Sequence, residues 1–381
     1  MPQKKKLIRV TTADISLDML LKGQLRYLNQ YFEVVGLAAD TGVLQKVAQR
    51  EGIRTIEVPM HREIALGSDL KCLLKLIRIF RKEKPWAVHS NTPKGSLLSM
   101  MAAKAARVPN RIYTVTGLRY QGETGAKRTL LKAMERLTCA CATKVIPEGR
   151  GVKEALQKDG ITRKPLEVIL NGNINGIDTE YFSREALPIS RDEMRRELGL
   201  QDGDFAFIFI GRIVRDKGMN ELAEAMQSLE KAHPECKLIL VGSFEPELDP
   251  LDEGNEEYFR TSGSVRYVGY QSDVRPYLLA ADALVFPSYR EGFPNVVMQA
   301  GAMGLPSIVT DINGCNEIIL EGENGRVIAP RNAEVLMNMM AWFLEHPAEV
   351  AQMAKDARTM ISSRYEQRAV WNALLAMYQK L

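Results

Sequence analysis

The sequence predicts an α/β protein made of two doubly wound, mostly parallel sheets, and three features carry that expectation. First, short β-branched runs alternate with helical stretches from the amino terminus. KLIRVTT, EVVGLAA, RTIEVP, WAVHSN and RIYTVTG read as strands, with SLDMLLKGQLRYLNQYF and LKCLLKLIRIFRKEK among the helices between them. Second, a fresh series opens at FAFIFIGR and continues through CKLILVGS, VRYVGY, ALVFPS, PSIVTD and GRVIAP. Third, the two series are separated by LNGNINGIDTEYFSREALPISRDE (Leu170–Glu193), which is rich in Asn, Gly and Asp, has little apolar periodicity, and reads as a linker. The expected division is an amino-terminal domain over 1–185, a carboxyl-terminal domain over 186–364 and a last helix over 365–381 that crosses back to the first domain. A length of 381 residues suits two such domains.

Composition narrows the function classes. Hydrophobic residues make up 45% and charged residues 26%, so each half can bury a core. No apolar run reaches the length of a spanning helix, and the opening MPQKKKLIRVTT has cations but no apolar signal region. The five cysteines (Cys72, Cys139, Cys141, Cys236, Cys315) are scattered and form no C-x-x-C pair, which argues against a disulfide framework and a structural zinc. The expectation is a cytoplasmic chain. Its net charge of +4 hides an asymmetry: residues 1–180 hold 31 Lys and Arg against 17 Asp and Glu, and residues 181–381 hold 20 against 30. No aromatic-and-basic motif or zinc-finger spacing supports nucleic acid as the partner of the basic half. Two amphipathic helices, Leu70–Lys84 and Gly125–Leu137, carry cations on one side and suit an anionic membrane surface; the plain alternative is a solvated face. In the second helix the candidate cations are Lys127, Arg128, Lys132 and Arg136.

Two stretches carry chemistry. In SYREGFPNVVMQAGAMGLP, Glu291 follows a strand that stops at Pro287, and Pro294 is suited to the first turn of a helix whose apolar side repeats Val296, Val297, Ala300 and Met303. An opening helix presents unpaired N–H groups and partial positive charge, which suits a diphosphate. In IFIGRIVRDKGMNEL, Gly211-Arg212 and Lys217-Gly218 follow a strand and precede a helix, so a planar fork and a point charge can hold a diphosphate together. By itself that pattern also fits a surface turn. Gly242 and Ser243 of LVGSF, with Gly269 and Tyr270 of VGYQSD, can frame a flat base, unless they are plain turn chemistry. In two open sheets that face each other, ligands meet the carboxyl ends of the strands, which puts Glu291 at the wall of a cleft.

These motifs, with HSNTPKGSLLSMMAAKAARVPNRIYTVTGL and NGNINGID in the amino half and EGFPNVVMQAGAMGLPSIVTDINGCNEII in the other, resemble the retaining glycosyltransferases of family 4, and within them the capsular-polysaccharide group. The resemblance covers nearly the whole chain. It implies the GT-B architecture, with an amino-terminal acceptor domain and a carboxyl-terminal nucleotide-sugar domain. It further implies that Arg212 and Lys217 hold the donor diphosphate, that Glu291 meets the hydroxyls of the transferred sugar, and that the backbone N–H groups of Phe293 to Val296 cradle phosphate, with Gly292, Pro294 and Asn295 among the donor-binding positions. Gln299 stands where the family has a second glutamate on the ribose, and an amide is the weaker acceptor. Thr116 stands where many relatives have a histidine, and His89, at another strand end, is the nearest acceptor-side candidate by sequence.

The implied reaction moves a hexosyl or N-acetylhexosaminyl group from a UDP-sugar to a lipid-diphosphate-linked saccharide, with retention and without metal or other cofactor. The single D-x-D, Asp202-Gly203-Asp204, reads as a turn before a strand. The implied setting is the inner face of the plasma membrane, with the protein peripherally attached. A UDP-sugar epimerase of the same fold, or a nucleotide-sugar or glycolipid-binding protein without activity, remain open. A nicotinamide enzyme is disfavoured, since no G-x-G-x-x-G follows a strand.

Overall fold

The computed structural model describes residues 4–61, 65–247 and 249–381. The chain forms two compact units: Met1–Gly176 with Gln367–Leu381, and Ile177–Glu366.

The first unit holds a six-stranded sheet of β1 (Lys6–Ala13), β2 (Glu33–Ala39), β3 (Arg54–Glu57), β4 (Ala87–Ser90), β5 (Asn110–Val115) and β6 (Lys144–Pro147). Its order is β3-β2-β1-β4-β5-β6, and every pairing is parallel. Strands buried on both faces need no polar alternation. Leu7, Ile8 and Val10 of β1 are accordingly all fully buried, together with Arg9. The single helix expected from SLDMLLKGQLRYLNQYF is instead two, Asp14–Leu20 and Gln24–Asn29. The break is at Gly23, against whose backbone the ring of Trp371 packs. Trp371 belongs to the last helix, Gln367–Gln379, which buries Val370, Trp371, Leu374 and Tyr378.

The second unit repeats the plan with β7 (Phe205–Ile210), β8 (Cys236–Val241), β9 (Val265–Gly269), β10 (Ala283–Phe286), β11 (Ser307–Thr310) and β12 (Gly325–Ile328). The order is β12-β11-β10-β7-β8-β9, again all parallel. The chain walks outward from β7 to β9, returns to the middle, and walks the other way from β10 to β12. The reversal lies between β7 and β10, and an open α/β sheet binds ligands at the carboxyl ends of its strands at such a point.

The division falls at Gly176–Ile177, earlier in the linker than the expected 185. The reason is packing. Ile177 donates its N–H to Tyr365 O at 2.8 Å, and Phe182, Leu187 and Ile189 lie against the core of the second unit. Local turns remain: Leu170 and Asn173 have positive φ. All five cysteines are buried and free. Among the described residues no helix is long and apolar enough to cross a membrane.

Candidate active site

The carboxyl edge of the second sheet gathers the expected donor residues. Arg212 follows β7, Gly242 follows β8, Tyr270 follows β9 and Glu291 follows β10. Since β10, β7, β8 and β9 are consecutive neighbours, the four positions form a row spanning about 14 Å, three gaps of roughly 4.8 Å.

At the β10 end, Glu291 Oε1 is paired with Lys217 Nζ and accepts from Ser288 Oγ at 3.1 Å. Ser288 is itself held: Thr310 Oγ1 donates to its carbonyl oxygen. Lys217 and Glu291 are only 15% and 19% exposed, so the ammonium does not stand open to solvent. The cause is the adjacent carboxylate, which takes up the ammonium that a diphosphate would otherwise meet. Arg212 is open, at 49% exposure, and is also paired, its NH1 standing 3.1 Å from Glu245 Oε2.

Lys217 is positioned by the turn Arg215–Lys217 and by Gly218. Gly218 has φ +72, and a Cβ there would lie 2.1 Å from Pro287 O. The β7 turn and the β10 loop therefore touch backbone to backbone, and Tyr289 N donates to Asp216 O at 3.0 Å. Asp216 also pairs with Arg290 at 2.9 Å. A similar approach joins β7 to β8: a Cβ on Gly242 would stand 1.8 Å from Gly211 O. Asp216, Ser288 and Glu245 complete the site and were not singled out from the sequence. Asp216 and Ser288 do lie inside the two quoted motifs, but nothing in a motif says which backbone atoms meet.

The helix after Glu291 is Asn295–Ala302, with Pro294 as its N-cap rather than in its first turn. Pro294 has no N–H, so the phosphate cradle expected from Phe293 to Val296 lacks a donor there. Phe293 is 6% exposed, and its ring packs edge-on to Tyr365 with centroids 5.5 Å apart. Only its backbone is available to a ligand. Gly292 and Val296 are partly exposed, as is Gln299 in the second turn of the helix. Tyr270 is 69% exposed at the end of β9.

In the first unit, His89 is 1% exposed and both ring nitrogens are occupied. Its Nδ1 is hydrogen-bonded with Tyr378 Oη, which also accepts from Arg9 NH1 at 3.3 Å, and its Nε2 with Thr114 Oγ1 at 2.7 Å. Burial, with Arg9 nearby, holds the imidazole pKa well below its ordinary value. His89 is a neutral internal link and not an acceptor-side residue. Thr116 Oγ1 donates to Asn91 O at 2.7 Å, tying the ends of β5 and β4 together. The Asp202–Asp204 segment is a turn, closed by Gln201 N donating to Asp204 Oδ2 at 2.7 Å. Among the described residues no three His, Cys, Asp or Glu side chains gather where they could hold a metal ion.

The family model described as Glycosyl transferases group 1 matches residues 190–360, and that described as Glycosyl transferase 4-like domain matches residues 25–172. The chain is 30% identical over 291 residues to the putative teichuronic acid biosynthesis glycosyltransferase TuaC of Bacillus subtilis, covering 76% of this chain and 69% of that one. The chain belongs to the group 1 glycosyltransferases. This glycosyltransferase is also 29% identical over 377 residues to the capsular polysaccharide biosynthesis glycosyltransferase CapM of Staphylococcus aureus, with 99% and 97% of the two chains covered. It is 27% identical over 345 residues to the UDP-Gal:alpha-D-GlcNAc-diphosphoundecaprenol alpha-1,3-galactosyltransferase of Escherichia coli, covering 87% of each. Its fold is GT-B: the crystal structure of Anabaena Alr3699/HepE in complex with UDP superposes with a TM-score of 0.82 over the full length of both chains, at 18% identity.

Proposed function

We propose that the protein is a retaining, metal-independent glycosyltransferase that moves a hexosyl or N-acetylhexosaminyl group from a UDP-sugar to a lipid-diphosphate-linked saccharide during capsular or surface polysaccharide synthesis. The observation that carries this reading is the row of Glu291, Arg212 with Lys217, Gly242 and Tyr270 along four adjacent strand ends. A donor laid along that edge has its sugar at Glu291, its diphosphate at Lys217 and Arg212, and its base on the exposed ring of Tyr270. The Staphylococcus and Escherichia relatives supply the capsular setting and the lipid-diphosphate acceptor. The second unit serves as the donor unit and the first as the acceptor unit.

The paired ions give donor binding a sequence. An arriving diphosphate competes with Glu291 for Lys217, and the freed carboxylate is then available to the sugar hydroxyls. In the reaction the bond from the anomeric carbon to the diphosphate oxygen breaks, and the bond to the acceptor oxygen forms on the same face. The acceptor proton passes to the departing phosphate oxygen. Arg212, Lys217 and the N–H groups at the start of Asn295–Ala302 meet the charge that grows on the diphosphate. Gln299 accepts from a ribose hydroxyl as a neutral amide in this reading. Attachment to an anionic inner membrane leaflet by the basic unit completes the proposal.

The test is incubation with a panel of UDP-sugars and lipid-diphosphate saccharides, followed by mass spectrometry and by proton NMR of the new anomeric centre. A lengthened lipid-linked product with the donor's anomeric configuration is the expected result. Interconversion of UDP-sugars without acceptor, UDP-sugar binding without UDP release, or an inverted product would sink the proposal.

A further inference from the structure

Beyond the donor edge, the first unit holds a second structured feature. Helix Pro93–Ala105 starts where β4 ends, and the turn Arg119–Gly122 and helix Gly125–Cys141 follow β5. Between them lies a narrow pocket at the carboxyl side of that sheet, with room for a group of a few heavy atoms rather than a whole sugar ring. Its walls are apolar, chiefly Leu97, Leu131 and Met134.

Two polar groups in its lining are under-satisfied. Glu135 is 9% exposed, yet its Oε1 accepts no hydrogen bond; the hydroxyl of Tyr120, 1% exposed, meets no acceptor in full hydrogen-bond geometry and has only the Asp159 carboxylate, already paired with Lys132, beside it. Tyr113 serves the Glu135 carboxyl from the core side. Buried polar groups without partners are uncommon, and each calls for an explanation. At the rim, Arg119 is exposed and makes no ion pair among the described residues.

The combination is chemically selective. A hydrocarbon would leave both polar atoms under-satisfied, and a lone hydroxyl would leave the apolar wall uncovered. An acetamido group matches every element: its methyl lies on Leu97, Leu131 and Met134, its N–H donates to Glu135 Oε1, and its carbonyl accepts from Tyr120. Arg119, exposed and part of the same lining, is the cation available to a phosphate on the same sugar.

We propose that this pocket is a specificity site for the N-acetyl group of a 2-acetamido sugar phosphate, the proximal unit of the acceptor. The proposal rests on the reading of the first unit as the acceptor unit. It is tested on the full chain with N-acetyl-α-D-glucosamine 1-phosphate and α-D-glucose 1-phosphate as probes, by calorimetry and saturation-transfer NMR. The acetamido probe binds at least tenfold tighter than glucose 1-phosphate, with its methyl protons the most strongly saturated. Tyr120→Phe, which removes only the hydroxyl, and Leu97→Phe, which fills the pocket, each lower that preference by about tenfold. UDP titration of the same variants reports whether the chain is folded. Equal affinity for the two probes, binding of neither, or variants that bind UDP normally and keep the wild-type preference overturns the proposal. Acetamido preference in a protein that transfers no sugar would support the pocket and sink the transfer reaction. Transfer without the preference would do the reverse.

Discussion

At the scale of single residues, the donor site and the Glu135 pocket make different demands. Gln299 lies in the second turn of Asn295–Ala302 and is partly exposed, so its amide is accessible without being buried. A carboxylate makes the stronger hydrogen bond to a hydroxyl. Gln299→Glu is therefore expected to tighten UDP by about fivefold to tenfold, within the range separating neutral from charged hydrogen bonds. Calorimetry reads this directly, and unchanged UDP affinity would mean that Gln299 does not reach the ribose. For Glu135, burial pushes the carboxyl pKa up to about 7 from an ordinary 4.5. The folded chain thus holds a proton that the unfolded chain releases, and stability falls as pH rises through that window, by roughly 3 kcal/mol in all. Glu135→Gln carries no such proton. Its unfolding temperature should rise relative to wild type between pH 5 and pH 8, and parallel profiles would contradict the assignment. His89 shows where residue type alone misleads. A histidine at a strand end satisfies a sequence-level search for a site, but its burial depends on Tyr378, hundreds of positions away, and no local signal carries that.

At the scale of elements, most strands were legible because parallel strands covered on both faces read as short unbroken β-branched runs. The strand Lys144–Pro147 was not, since it follows helix Gly125–Cys141 after only Ala142 and Thr143, with no Gly, Pro, Asn, Asp or Ser to mark the break. Contacts between elements were less legible. The turn Arg215–Lys217 is held against the β10 loop because Gly218 has no side chain, and the cost of a Cβ appears only when Pro287 O is seen beside it. Gly218→Ala is expected to destabilise the protein by about 1–3 kcal/mol, the range for a non-glycine residue in a strained backbone position. It should also cut transfer by moving the turn that carries Lys217 away from the diphosphate position. A thermal melt and a turnover assay check both effects, and wild-type values in both would show that the two loops can part freely. The amphipathic helices divide differently from their sequence patterns. On Gly125–Cys141, Lys132 is 20% exposed and held by Asp159 at 2.6 Å, and Arg136 donates to Asp159 O and Gly160 O. Lys127 pairs with Glu123 at 2.6 Å. Of the four candidate cations, Lys132 and Arg136 are thus committed to the protein itself. Helix Leu66–Glu83 instead exposes Leu70 and Leu74, at 58% and 46%, beside exposed Lys71, Lys75 and Arg78. Cations near an anionic leaflet contribute about 1 kcal/mol each. Replacing Lys71, Lys75 and Arg78 by glutamine should release the protein from anionic vesicles at low salt, whereas Lys132→Gln should not. Sedimentation that ignores the triple variant would return this helix to the reading of a solvated face.

At the scale of the whole molecule, the charge asymmetry and the repeated strand order describe two units built on one plan with opposite charge. The amino-terminal 180 residues carry an excess of 14 positive charges, and the remainder an excess of 10 negative ones. Under the proposed function the acidic unit must place cations locally to meet a diphosphate, and Arg212 and Lys217 stand at the reversal between β7 and β10, each beside an acidic partner. The motifs named these residues. They did not show that both would be paired without ligand, because an ion pair depends on side chains brought together from two loops. UDP release by the full chain carrying Lys217→Ala, with a UDP-sugar and a lipid-diphosphate acceptor supplied, tests most directly whether Lys217 stabilises the departing diphosphate. The expected turnover is about 100-fold to 1000-fold below wild type, as when one charge-stabilising donor is lost, in a protein that still melts cooperatively. Wild-type turnover in that folded variant would contradict that role.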